Sequence, residues 1–144
     1  MPKAFAASTE RFERIGVSAD PRTAARTRDE FANWLRGSFV LDPNRTSDLI
    51  LAIYEALANT AEFAYLSAGL TGTMDVRAAY DPLDAALLVT VSDRGQWRTA
   101  GPAGSDRSRG RGIALMTALA DSASIQTSTG GTTVRLAWTG VQPR

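Results

Sequence analysis

Four short stretches of the sequence hold residues whose types and spacing suit chemistry. In LAIYEALANTAEFAY, Glu55 and Asn59 stand four apart, so on a helix they share a flank, with Glu62 on the next turn. A carboxylate so placed can take a proton from a hydroxyl or a water. An amide oxygen can ligate Mg²⁺, a hard cation that keeps waters and phosphate oxygens as its other ligands. The same pair also reads as an ordinary solvated helix edge. In VSDRGQW, Asp93 ends a hydrophobic run, where its carboxylate could accept a hydrogen bond from an exocyclic amine such as that of adenine. Gly95, two residues on, would let backbone approach a ring closely, although D-x-G is a common turn signature as well.

In GRGIALM, Gly110 and Gly112 open a helix whose first N–H groups would face phosphates, and Arg107, Arg109 and Arg111 stand near enough to add charge-assisted contacts. The run is not the dinucleotide fingerprint, because it lacks the third glycine and follows a long loop instead of a strand. A plain glycine hinge fits it equally. In GTTVRL, the Thr132 hydroxyl could bond Asp93 or a water near a bound base, while two β-branched residues entering a strand need no ligand to explain them.

Absences narrow the chemistry further. The chain of 144 residues has no cysteine and no histidine, and its only lysine is Lys3. A disulfide framework, a thiolate nucleophile, a Cys- or His-based zinc site, a Ser-His-Asp triad and a phosphorylatable histidine are all excluded. So are a Walker A lysine, the strand lysine of eukaryotic-type protein kinases and a Schiff base. Chemistry must run on carboxylates, amides, hydroxyls, arginines and backbone.

Net charge is only +1, too mild to indicate nucleic acid or membrane, but its distribution is uneven. Asp48, Glu55, Glu62, Asp75, Asp81, Asp84 and Asp93 face the single base Arg77, and then Arg94, Arg98, Arg107, Arg109 and Arg111 face Asp106 alone. An acidic middle followed by a basic loop suits an anionic ligand bridged by a metal. No apolar run reaches the roughly 20 residues of a membrane span and no secretory leader is visible, so a cytoplasmic protein is expected.

The elements that must position these residues follow from period and punctuation. With 44% hydrophobic residues, the length suits one core and one domain, expected over 11–140, with 1–10 and 141–144 as flexible tails. Arg11 to Ser18 alternates imperfectly, as an edge strand would. Asp20-Pro21 and Asp42-Pro43 are N-cap and first-position pairs that start helices from Pro21 to Arg36, stopped by Gly37, and from Pro43 to about Leu66. On the second helix Leu49, Ile53, Ala56, Leu57, Thr60 and Ala64 form the stripe that faces a sheet.

Strand-like periods at Thr71 to Tyr80 and Ala86 to Ser92 flank the turn Asp81-Pro82-Leu83-Asp84. Gly95 to Gly110 is a loop of about sixteen residues, long enough to be a functional lid. A short helix from Gly112 to Asp121 and strands at Ser124 to Thr127 and Thr132 to Trp138, joined through Gly130-Gly131, complete the chain. The order predicts an α+β two-layer sandwich, a mixed and mostly antiparallel sheet with helices on one face.

Taken in order, EALAN, DRGQW, GRGIALM and GTTVRL resemble the N, G1, G2 and G3 boxes of the Bergerat (GHKL) ATP-binding fold. Within it the chain is similar to the anti-sigma-factor serine/threonine kinases of bacterial partner switching, over nearly its whole length. The resemblance implies ATP and Mg²⁺ as cofactors, Glu55 as general base for an incoming serine or threonine hydroxyl, and Asn59 as the Mg²⁺ ligand. It implies Asp93 on the adenine amino group with Gly95 beneath the ring, and Thr132 in support of Asp93. Gly110 and Gly112 become lid hinge and phosphate cradle, with Arg107, Arg109 and Arg111 as candidates for the polyphosphate. Implied partners are a sigma factor, a STAS-type antagonist as phosphoacceptor, and a second copy in a homodimer.

Two departures stand out: Phe63 occupies the place of a histidine common after the N-box asparagine, and Gln96-Trp97 replaces a glycine-containing step. A rival reading is a nucleotide-dependent binding module without kinase activity. Arginine-mediated nucleic acid binding is a third, against which the acidic middle argues.

Overall fold

The computed structural model describes residues 11–68, 72–93, 114–128 and 131–144. The expected lid and its glycines therefore lie outside the described residues. The elements in chain order are β1 (Arg11–Ser18), α1 (Pro21–Ser38), β2 (Phe39–Val40), α2 (Pro43–Ala68), β3 (Thr73–Asp81) and β4 (Ala86–Asp93). A short helix α3 over 114–119 follows, then β5 (Ser122–Ser128), β6 (Gly131–Trp138) and β7 (Gln142–Pro143). Five strands pair antiparallel in the order β1-β3-β4-β6-β5, and β2 pairs with β7 in a separate ribbon. The two-layer α+β sandwich expected from the sequence is the fold observed.

Both long helices begin where the Asp-Pro pairs place them. Asp20 Oδ1 accepts the Thr23 N–H at 2.8 Å and Asp42 Oδ1 accepts the Arg45 N–H at 2.8 Å. Each aspartate satisfies an otherwise orphaned helical donor, and each proline sits where a missing N–H costs nothing. Gly37 does not stop α1, which runs to Ser38. The chain turns extended at Phe39, whose N–H still reaches the Leu35 carbonyl and whose ring is buried.

Period two along the strands sends alternate residues under the helices. The inward rows are Tyr80, Leu87 and Trp138; then Phe12, Ala78, Val89, Leu136 and Ala123; then Arg14, Val76, Val91, Val134 and Ile125. Arg14 closes its row at the edge by pairing with Glu30 of α1 at 2.7 Å. Edge strand β1 alternates imperfectly because it bulges between Arg14 and Val17. Gly16 there takes φ +68° and donates its N–H to buried Asp75 at 2.7 Å.

One expectation needs correction: residues 141–144 are not a tail. Val141 is fully buried and its N–H bonds the Ala85 carbonyl at 2.9 Å, and Gln142 and Pro143 pair with β2. Arg144 closes the end of α1, donating its N–H to the Ser38 carbonyl and its Nε–H to that of Arg36 at 2.7 Å. Residues 1–10 lie outside the described residues. Among the described residues, no helix is long and apolar enough to cross a membrane.

Candidate functional site

Helix α2 is tied down at its first turn. Arg45 donates to the carbonyls of Thr139 at 2.6 Å and Gly140 at 3.4 Å and pairs with Asp121 at 2.9 Å. Asp121 in turn accepts the Thr139 N–H at 2.7 Å. This clasp sits at the Leu87–Trp138 end of the sheet, and α2 then runs along β4 and β3. From Arg45 to Asn59 the helix rises about 21 Å at 1.5 Å per residue. From Leu87 to Asp93 the strand advances about 20 Å at 3.3 Å per residue. Asn59 and Asp93, far apart in sequence, therefore arrive at the same end of the molecule.

At that end the sheet changes character. The fourth inward row reads Val17, Met74, Asp93, Thr132 and Thr127, with Asp93 and Thr132 in direct register. Asp93 is 4% exposed and Thr132 3%, so a carboxylate and a hydroxyl sit side by side where the central strands β3, β4 and β6 carry apolar residues in the two rows before. The Thr132 Oγ1 has no hydrogen-bond partner among the described residues. A buried hydroxyl left so costs about 1–3 kcal/mol, which marks a place where a ligand or water would complete the bonding.

On α2 the residues facing the sheet are Leu49, Ala52, Ile53, Ala56, Leu57, Thr60 and Ala61, all buried. Glu55 and Asn59 are both half-buried on its flank, as their spacing predicted. At about 100° per residue they lie roughly 160° and 120° round the helix from Ile53, on the side away from Tyr54. Tyr54 marks the α1 side, because Arg28 of α1 stacks over its ring at 4.8 Å. The flank carrying Glu55 and Asn59 is thus the one that α1 leaves open.

The structure sets Asp93 against Thr132 in register, and the rise along α2 carries Asn59, with Glu55 one turn before it, toward the same end of the sandwich. Gly95, Arg107, Arg109, Gly110, Arg111 and Gly112 lie outside the described residues, as does the Phe63 side chain. One neighbour escaped the sequence reading as a site residue: Met74, beside Asp93 in register. The register that places Met74 has no local sequence signal. A shallow depression of about 420 Å³ lined by Asp42, Pro43, Asn44, Arg45 and Asp48 lies at the opposite end of α2 and holds none of these groups.

A profile of the histidine kinase-like ATPase domain matches residues 17–138, from the end of the edge strand through the last strand of the main sheet. The chain belongs to that family. Among solved structures it is similar to the RsbU and RsbW domains of Rv1364c from Mycobacterium tuberculosis, with 28% identity and a TM-score of 0.69. The match covers 92% of this chain and 33% of that one, so the chain spans about a third of that protein's resolved length.

Membership gives the polar row its meaning, since these domains bind ATP. Adenine offers an amine donor flanked by ring-nitrogen acceptors, which suits a carboxylate beside a hydroxyl that still has bonding capacity. The residues present therefore fit the nucleotide.

Proposed function

We propose that the protein is an ATP- and Mg²⁺-dependent serine/threonine kinase that also acts as an anti-sigma factor, phosphorylating a serine or threonine of a STAS-type antagonist. The observation that carries this reading is the buried Asp93–Thr132 pair, whose hydroxyl has no partner among the described residues. Family membership and the likeness to an RsbW domain support it.

In this reading Asp93 accepts from the adenine amine and Thr132 supports the same edge, so the base enters beneath the end of α2. The Asn59 side-chain oxygen suits Mg²⁺, which would neutralise charge on the phosphates when bound there. Glu55 takes the proton of the attacking hydroxyl as its oxygen bonds the γ-phosphorus. The bond from that phosphorus to the β–γ bridging oxygen breaks, and ADP leaves. Catalysis is then mostly positioning and charge neutralisation, which a chain without histidine or a useful lysine can supply. Gly95, the glycines Gly110 and Gly112, and Arg107, Arg109 and Arg111 keep their assignments to base and phosphates on resemblance. The sigma factor and a second copy of the chain are the further partners.

The decisive experiment follows phosphoryl transfer from ATP to a STAS-type antagonist while measuring nucleotide affinity. Glu55→Gln should abolish transfer and leave ADP affinity within about twofold of wild type; undiminished transfer would remove Glu55 as base. Asp93→Asn should weaken ADP at least tenfold, on the scale of about 1.5–3 kcal/mol for a hydrogen bond to a charged group. The second reading, a nucleotide-dependent binding module, is favoured by Phe63 in the place of a histidine. Tight ADP binding without transfer to any such antagonist would establish it.

A further inference from the structure

Among the described residues the helices pack on one face of the main sheet, and the other face is patterned. Its outward row Ala79, Leu88 and Ala137 crosses the three central strands in register. Leu88 is 46% exposed there, on the middle strand of the sheet, where a face turned only to water would carry a polar residue. Two residues along β4 toward Asp93 the outward row is basic: Arg77, Thr90 and Arg135 stand in register, and both arginines are exposed. Their charges are poorly met within the chain. Arg77 reaches Glu13 only at 3.8 Å, and Arg135 finds the neutral Gln126 amide oxygen at 2.8 Å. Two residues in the other direction the face turns acidic, with Asp81 opposite Ala86 and Asp84 following in the turn. Neither aspartate makes an ion pair among the described residues. Acid, apolar and base therefore succeed one another at even steps of about 7 Å.

A pattern of that kind is complementary to itself. When two copies meet face to face about a two-fold axis lying along the Leu88 row, Leu88 meets Leu88 and the acidic turn of each copy lies over the basic row of the other. Facing strands then run nearly antiparallel, an alignment that stacked sheets adopt. Five strands spaced about 4.8 Å apart, with the lengths given above, offer a plan area on the order of 600 Å². Side chains standing on it carry the accessible area toward the roughly 800 Å² that each partner gives to a standard interface. We infer that this open face docks a second copy of the chain, isologously and through the Leu88 row. The inference takes from the reading above only that a second copy is a partner, and assigns it a surface and an orientation. It does not depend on nucleotide, because Asp93 and Thr132 point to the opposite face of the sheet.

The test is sedimentation of the full chain, without nucleotide, over a range of micromolar concentrations, with far-UV circular dichroism and thermal unfolding of each variant. Leu88→Arg should keep the spectrum and weaken self-association at least about tenfold, because it buries a charge against its own copy. The double variant Arg77→Glu with Arg135→Glu should weaken it as well, and so should Asp84→Arg, chosen because Asp81 also accepts the Leu83 N–H. An equal mixture of those two charge variants should dimerise again, since each then meets its opposite sign in the other. A folding defect would not be repaired by mixing. A wild-type dimer that persists unchanged in Leu88→Arg and in both charge variants overturns the surface and leaves the homodimer standing. Charge variants that stay apart on mixing overturn the two-fold arrangement. A wild-type chain that sediments as a monomer throughout overturns the second copy as a partner and the inference with it.

Discussion

The two ends of the same sheet are built on opposite terms. At the Leu87–Trp138 end, Trp138 is 1% exposed and donates its indole N–H to the Leu119 carbonyl at 3.0 Å, and Tyr80 donates its hydroxyl to Val141 at 2.6 Å. An aromatic chain of Phe12, Phe31, Trp34, Phe39 and Tyr80 runs nearby, with centroids 5.2–5.7 Å apart. Arg45, Asp121 and Arg144 clasp helix and strand ends there. At the Asp93–Thr132 end, equally buried positions hold a carboxylate and a hydroxyl without a partner among the described residues. One end is closed by aromatic packing and by several side chains that find partners, although the buried Trp34 indole N–H there has none among the described residues. The other keeps bonding capacity in reserve, and a fold can hold such a site because the first end carries the stability.

The largest effect should come from breaking the closed end. Trp138→Ala removes a fully packed indole together with its hydrogen bond, and should destabilise the apo protein by about 3–5 kcal/mol. Chemical denaturation with a tryptophan-independent probe such as far-UV circular dichroism measures it. A loss below about 1 kcal/mol would mean that this end is not the anchor.

A smaller loss is expected at the start of α1, which follows Ser18 at the Asp93 end of the sheet. The Asp20 carboxyl is held below its usual range, chiefly by the Thr23 backbone N–H it caps, with burial working in the opposite direction. A depressed folded-state value means the stabilisation is present above the unfolded pKa, near 3.9, and is lost as pH falls through the lower folded value. Asp20→Ala should therefore cost about 1 kcal/mol at pH 7, and the gap to wild type should close below about pH 4. Unfolding curves at pH 7, 5 and 3 check both size and sign. A gap that widens on acidification would contradict the cap.

The closed end also tolerates a residue in a costly backbone state, which sharpens the contrast from the other direction. Ala85, in the β3–β4 turn, has φ +51°, a left-handed conformation that glycine adopts without a Cβ clash. Its carbonyl accepts the Val141 N–H, so the turn is pinned by the terminal segment. Ala85→Gly should raise stability by about 0.5–1 kcal/mol, the steric relief being partly offset by glycine's freedom in the unfolded chain. Denaturation midpoints measure it, and a loss would show that the turn relaxes around alanine.

What the sequence made legible divides along the same line. Caps and strands were readable because their signals are local: Asp-Pro at each helix start, alternation along β3, β4 and β6, and four-residue spacing for Glu55 and Asn59. The two-residue strands β2 and β7 carry no period, so the ordering of Val141 to Arg144 was invisible until the pairing of Phe39 with Pro143 supplied its cause. The meeting of Asp93 with Thr132 depends on the β4–β6 register, which is a nonlocal property. The chemistry of the site was legible as residue types, and its convergence was not.

The smallest change in apo stability should come from the residue that most clearly separates the two ends. Thr132→Val replaces a buried hydroxyl without a partner among the described residues by a methyl of nearly the same shape. In a closed core, deleting a hydroxyl that makes a bond costs stability. Here no such bond is lost and an unmet desolvation cost is removed, so the variant should match the wild type within about 0.5 kcal/mol or exceed it. Its cost should surface only with ligand: saturating Mg-ADP should raise the wild-type midpoint more than that of the variant, because a ligand stabilises in proportion to its affinity for the folded state. A variant that is clearly destabilised without nucleotide and equally protected by it would make Thr132 an ordinary packing residue. The polar end of the sheet would then differ from the apolar end in composition but not in purpose.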